Sequence, residues 1–293
     1  MRKLSIILFG FLLMTACNNK KQAADQDDDE SEETAMNADG ADDLSSDGEI
    51  DYVKASFMSP DSSMVVLSAE VPSKGGTPLA DSILAYLNEN ISYGFIEYFN
   101  ETKNARKAVI KAGQSHLESV QEEITASKND FMESMEEGDE LPDYMFAWEY
   151  QQNFKKEVDA DNYVTYIELG YEYQGGAHGI NWLVGTTFDK QTGRRIGKEI
   201  LKDTDSQAFK TRFQNELLKY FEPSEGETLS DYLLIDIDDL QISNFRIADG
   251  QFIFQYQPYE ISYYAAGMPC AILSFKQMKP YLTKEGLRLI GKD

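Results

Sequence analysis

The amino-acid sequence predicts an α+β fold, with antiparallel sheet meanders packed against amphipathic helices in two consecutive α/β parts. Three observations carry this. Apolar residues recur every four positions in the first third of the folded region. The period changes to two beyond residue 144. A third helix followed by short strands then repeats the arrangement.

The first strand is read at Met64 to Val71. Thr77-Pro78 follows as a helix cap with proline at the first helical position. Leu79, Ile83, Leu87, Ile91 and Phe95 sit at spacing four, which predicts one helix to about Phe99. A second amphipathic helix carries Leu117, Val120, Ile124, Phe131 and Met135, with Glu118, Glu122, Glu123 and Glu133 facing outward.

Three alternating runs come next. They are Phe146, Trp148, Tyr150 and Phe154; Tyr163, Thr165, Ile167, Leu169, Tyr171 and Tyr173; and Ile180, Trp182, Val184, Thr186 and Phe188. Asp159-Ala160-Asp161-Asn162 and Gly175-Gly176-Ala177-His178-Gly179 join them as turns, giving an antiparallel meander. Lys190 to Gly193 is the next turn. Phe209, Phe213, Leu217 and Phe221 define a third helix. Ala248-Asp249-Gly250 joins two strands as a hairpin, Met268 to Phe275 is a last strand, and a short helix over Gln277 to Leu282 closes the chain. Residues 52–185 are expected as the first folded part and 186–293 as the second.

The N-terminus has a different character. Arg2 and Lys3 precede an apolar run from Leu4 to Met14, too short for a span of ~20 residues and suited to a secretory signal. Met14-Thr15-Ala16-Cys17 resembles a bacterial lipobox. Residues 1–16 are therefore expected as a signal peptide, with Cys17 lipidated and anchoring the mature protein to a membrane. Residues 17–51 form an acidic tether, too poor in apolar side chains to fold. The expected location is the cell envelope, at the outer membrane, in the periplasm or at the surface.

After removal of Arg2 and Lys3 the chain keeps 25 basic against 51 acidic residues, a formal charge of −26. Nucleic acid is a poor partner for such a surface, which attracts cationic partners instead. Cys270 reads as a small buried residue of a strand.

The common catalytic signatures are absent from the sequence. There is no His-Glu-x-x-His, Gly-x-Ser-x-Gly, Gly-x-x-x-x-Gly-Lys or Gly-x-Gly-x-x-Gly. No catalytic residue, cofactor or metal site is expected. Asp159-x-Asp161-Asn162 and Asp236-x-Asp238-Asp239 lack the glycine and distal glutamate of a calcium loop and read as turns. Of the two histidines, His116 reads as a solvated surface residue. His178 reads as part of a glycine-dependent turn, or as an acid/base group beside Glu172 or Glu260 in a cell-wall enzyme.

Four segments then resemble a known family. They are Tyr171 to Gly179 (YEYQGGAHG), Thr187 to Gly193 (TFDKQTG), Phe252 to Ile261 (FIFQYQPYEI) and Tyr263 to Gly267 (YYAAG). Together they resemble the RsiV/PdaC-like extracytoplasmic domains, shared by a lysozyme-sensing anti-sigma factor and the non-catalytic region of a peptidoglycan deacetylase. The resemblance covers roughly residues 52 to 285. It implies an α+β fold in two parts, with the Gly-Gly-Ala-His turn near their junction, and no catalysis by these domains. It also implies a protein or cell-wall ligand, with a lysozyme-like basic protein or peptidoglycan as candidates.

The sensor of that family has a cytoplasmic segment and a membrane span. Here the lipobox at residue 17 would leave nothing inside to hold a sigma factor. What remains is a binding module, or a structural envelope component. The expected ligand surface comprises Gly175, Gly176, His178, Pro258, Tyr259, Glu260, Tyr263 and Tyr264.

Overall fold

In the computed structural model, residues 50–59, 63–136 and 140–291 are described. The segment expected as a signal peptide, Cys17 and nearly all of the expected tether lie outside them. Among the described residues no helix is long and apolar enough to cross a membrane.

The fold is α+β, as the sequence predicts. Six strands form the larger sheet in the order β1 (Ile50–Met58), β2 (Met64–Pro72), β3 (Glu149–Asp159), β4 (Tyr163–Tyr173), β5 (Ile180–Asp189) and β6 (Arg195–Ile196). The β3–β4–β5 meander is present. β2, however, runs parallel to β3, a pairing that periodicity alone does not reveal. It arises because three helices intervene as a crossover: α1 (Pro78–Ile91), α2 (Phe95–Thr102) and α3 (Ala105–Glu133).

Several boundaries differ from the sequence reading. The helix expected to run unbroken to Phe99 stops at Ile91. Ser92, Tyr93 and Gly94 all take positive φ, at 55°, 49° and 77°, and the chain restarts as α2. The i,i+4 pattern survives the break because Phe95 is buried in the same core as Ile91. Phe146 stands in a 3-10 turn before β3 rather than in the strand.

The helices cover one face of the sheet. Val164, Tyr166 and Phe188 point to that face and join a core with Leu87, Phe95, Val109 and Phe154. Gly113 lets α3 approach β1, since a Cβ there would lie 2.3 Å from the Phe57 ring. Thr165, Ile167 and Leu169 alternate to the opposite face.

That opposite face carries the second part. α4 (Gln207–Tyr220) packs on a three-stranded antiparallel sheet of β7 (Phe245–Ala248), β8 (Gln251–Gln255) and β9 (Cys270–Ser274). Its core gathers Phe209, Phe213, Leu217, Phe252, Phe254 and Leu273. Asp249 and Gly250 both adopt positive φ in the β7–β8 turn, as a tight hairpin requires. Cys270 is buried at the start of β9. After α5 (Phe275–Met278) and a 3-10 turn the chain does not close, but adds α6 (Lys284–Leu289).

The division expected between residues 185 and 186 falls inside β5, and the contacts there are polar as well as apolar. Thr165 Oγ1 donates to the Ile247 carbonyl at 2.6 Å, and the Ile247 N–H donates to Thr187 Oγ1 at 2.9 Å. The Gln257 side chain both accepts from the Leu183 N–H and donates to the Leu183 carbonyl, at 3.1 and 2.8 Å. A side-chain amide thus takes the place of a neighbouring strand along β5. Arg288 donates to the fully buried Asp189 at 2.8 Å, tying α6 to the end of β5.

Candidate functional site

The β4–β5 turn and the loop after β8 meet, so most of the residues expected to share a surface do so. Tyr173 Oη donates to the Gly176 carbonyl at 3.1 Å and closes the turn. Gly175 has φ +84°, and a Cβ there would lie 2.5 Å from the Met145 carbonyl oxygen. Gly179 is packed under the Tyr171 ring. The glycines are therefore required by backbone shape and close approach.

His178 is exposed and stacks on Tyr264, with ring centroids 4.0 Å apart and planes 16° apart. Tyr259 also lies near-parallel to Tyr264, with centroids 5.5 Å apart, and its hydroxyl lies 3.5 Å from His178 Nε2. Tyr264 is anchored through its hydroxyl, which donates to the Gly179 carbonyl at 2.7 Å. The result is a three-ring platform with Tyr259 53% exposed and Tyr263 beside it 47% exposed. Tyr259 itself sits at φ 66°, a backbone strain held by the flanking turn. In that turn the Gln257 N–H donates to the Glu260 carboxylate at 2.8 Å. Pro258 lies half-buried between them.

The hydrogen bonds of His178 go to its neighbour's carbonyl, Gly179 O, and to Tyr259. Those of Glu172 and Glu260 go to Tyr150 and to Gln257. The acid/base pairing weighed for His178 with either carboxylate is thus not formed in this geometry. Among the described residues no cluster of His, Cys, Asp or Glu is arranged to hold a metal ion. The two Asp-rich segments serve turns: Asp236 caps the Asp238 N–H, and Asp159 pairs with Lys156 and Lys190.

His116 is a correction. It is not a solvated surface residue. Its ring lies half-buried against Tyr93 at 4.1 Å, nearly parallel, and meets Tyr150 edge-on at 4.8 Å. Burial lowers its pKa to about 4. The helix pattern hid this because His116 neighbours polar and acidic positions. Tyr93 reaches it only through the positive-φ break before α2.

A cleft of about 270 Å³ opens beside His116, walled by Tyr93, Tyr150 and Trp182 with Gln152 and Glu172. Trp182 lies across Gly170 on the paired strand: a Cβ at Gly170 would fall 1.8 Å from the indole. Its Nε1 donates to the buried Glu168 at 2.7 Å, and Gln152 donates to the same oxygen at 2.9 Å. Sequence reasoning placed Trp182 on a strand but did not assemble this cleft, whose walls come from α1, α3, β2, β3, β4 and β5.

This architecture is an α+β fold with a six-stranded and a three-stranded sheet among the described residues, and solved structures share it. One is a DUF3298-family protein from Bacteroides fragilis, aligned with a TM-score of 0.67 at 18% identity over 83% of this chain and 96% of that one. Another is a DUF3298-family protein from Pseudomonas aeruginosa, with a TM-score of 0.50 at 14% identity over 80% and 94%. That family is related to the RsiV/PdaC-type domains. At these identities the likeness shows the fold. No family model matches the chain. No curated protein matches it either.

Proposed function

We propose that this chain is a non-catalytic binding module of the cell envelope, lipid-anchored through Cys17, that holds a basic protein on its aromatic platform. A lysozyme-like protein is the concrete candidate. The observation that carries the reading is the stack of His178, Tyr264 and Tyr259. It is fixed from below by the Gly179 carbonyl and open to solvent above. Rigid, exposed tyrosines beside a glycine turn give contact area with little side-chain entropy to lose. The formal charge of −26 speeds encounter with a cationic partner.

The test is a calorimetric titration of the full chain, kept in detergent, with lysozyme at low salt. Binding is expected, and Tyr259→Ala should weaken it by about tenfold while leaving the unfolding midpoint within a few degrees. Absence of heat at low salt, where steering is strongest, removes lysozyme as the partner. Unchanged affinity in Tyr259→Ala and Tyr263→Ala moves the interface away from this platform.

A further inference from the structure

The cleft beside His116 lies apart from the platform and has a chemistry of its own. Its walls are the rings of Tyr93, Tyr150 and Trp182, and no lysine or arginine lines it. Glu172 enters from β4 and, among the described residues, accepts a single long hydrogen bond, 3.3 Å from Tyr150 Oη. A carboxylate has about four acceptor positions, so most of its capacity is open. Tyr150 is pushed up to about 12, first by burial and then by Glu172 and Glu123 together; Tyr93 is raised for the same reasons. Burial is the larger cause for both rings, and Glu172 and Glu123 add negative charge near them. His116 adds no positive charge near neutral pH, because burial holds it neutral. Aromatic faces, an open carboxylate and no competing cation are the features that bind a positively charged group.

Size narrows the ligand. About 270 Å³ lies below the range of roughly 300–1,000 Å³ usual for drug-sized ligands, and suits one side chain. We propose that this cleft is a receptor for a single organic cation, the ammonium or guanidinium end of a lysine or arginine side chain on a basic protein partner. The protein source of that cation rests on the binding-module reading; the chemistry of the cleft does not. A neutral sugar ring would use the same aromatic faces, but would gain little from the field of Glu172 and Glu123.

The experiment titrates the full chain in detergent with N-acetyl-arginine methylamide, reading the two indole N–H resonances by NMR. Trp182 reports the cleft. Trp148, whose indole donates to the Met145 carbonyl, serves as the internal control. Saturable movement of the Trp182 signal is expected, with affinity about tenfold weaker in Glu172→Gln. N-acetyl-citrulline methylamide replaces the guanidinium with a neutral urea and should not saturate. Equal binding of the citrulline probe, or unchanged affinity in Glu172→Gln, overturns the proposal. So does saturation of the same signal by a trimer of N-acetylglucosamine with no dependence on Glu172, which assigns the cleft to a sugar. No movement of Trp182 with any probe also overturns it. Failure here with intact lysozyme binding that is sensitive to Tyr259 leaves the platform reading standing; the converse result separates the two in the other direction.

Discussion

His116 makes stability depend on pH in a way that can be calculated. The folded protein holds the imidazole near pKa 4, against 6.5 in an unfolded chain. The unfolded state therefore binds the proton first as pH falls. The favourable balance is fully present above about pH 6.5 and is lost progressively towards pH 4. At pH 5 the unfolded state gains RT ln[(1 + 10^1.5)/(1 + 10^−1)], which is about 2 kcal/mol. Carboxylates also titrate near this range, so the comparison is with His116→Phe, which keeps a flat ring against Tyr93 and cannot take a proton. Urea unfolding of both proteins from pH 7.5 to pH 5 is the assay. Wild type should lose about 2 kcal/mol more than the variant, and the His116 ring proton should titrate near pH 4 by NMR. Parallel pH profiles, or a His116 resonance titrating near 6.5, would refute the buried, neutral imidazole.

Three further outcomes follow from the packing. Gly170→Ala forces the indole of Trp182 off its seat and removes a donor from the buried Glu168, so chemical denaturation should show a loss of about 2–4 kcal/mol; a loss under 0.5 kcal/mol contradicts the close approach. Burial alone would raise Asp189, but hydrogen bonds from Thr192, Arg288 and the Gln191 N–H outweigh it and hold its pKa down. Its contribution is present above about pH 4 and lost as pH falls further, and Asp189→Asn should flatten the acid limb of the stability profile below pH 4. Tyr264→Phe deletes the hydroxyl that reaches the Gly179 carbonyl; it should cost about 1 kcal/mol of stability and raise hydrogen exchange in the β4–β5 turn, and an unchanged exchange pattern would show that the stack holds without it.

Much of this architecture is legible in the sequence because it is local. The Thr77-Pro78 start works through one side chain accepting the Ala80 N–H, and the Asp249-Gly250 turn works through two positive φ values. The His178 platform was legible in outline, since the Gly-Gly-Ala-His turn and the Pro258 to Gly267 loop carry unusual residue types. What failed was non-local. The parallel β2–β3 pair joins residues some 85 positions apart, and nothing in either strand encodes its direction. The break at Ser92 to Gly94 was hidden because Ile91 and Phe95 keep an apolar spacing while the backbone between them reverses sign. His116 was misread for the same reason. Its environment is set by Tyr93 and Tyr150, one on that break and one on β3, and no window around residue 116 contains either.

The geometry further implies that the cleft and the platform share a frame. Glu172 and Tyr173 are consecutive on β4, so their side chains point to opposite faces of the sheet. Glu172 enters the cleft, while Tyr173 closes the glycine turn that presents His178. Gln174, the next residue, donates to Tyr150 Oη on the cleft wall. A partner that displaced the turn by even a fraction of an ångström would pull on Gln174, and through it on the ring of Tyr150. The reverse holds by the reciprocity of linked equilibria. Gln174→Ala removes that side-chain link, and with it one donor to Tyr150 Oη, while the continuity of Glu172 and Tyr173 along β4 remains. Any coupling between lysozyme binding and N-acetyl-arginine methylamide binding, read by calorimetry with both present, should then weaken, and coupling unchanged in Gln174→Ala would remove this side chain as the link.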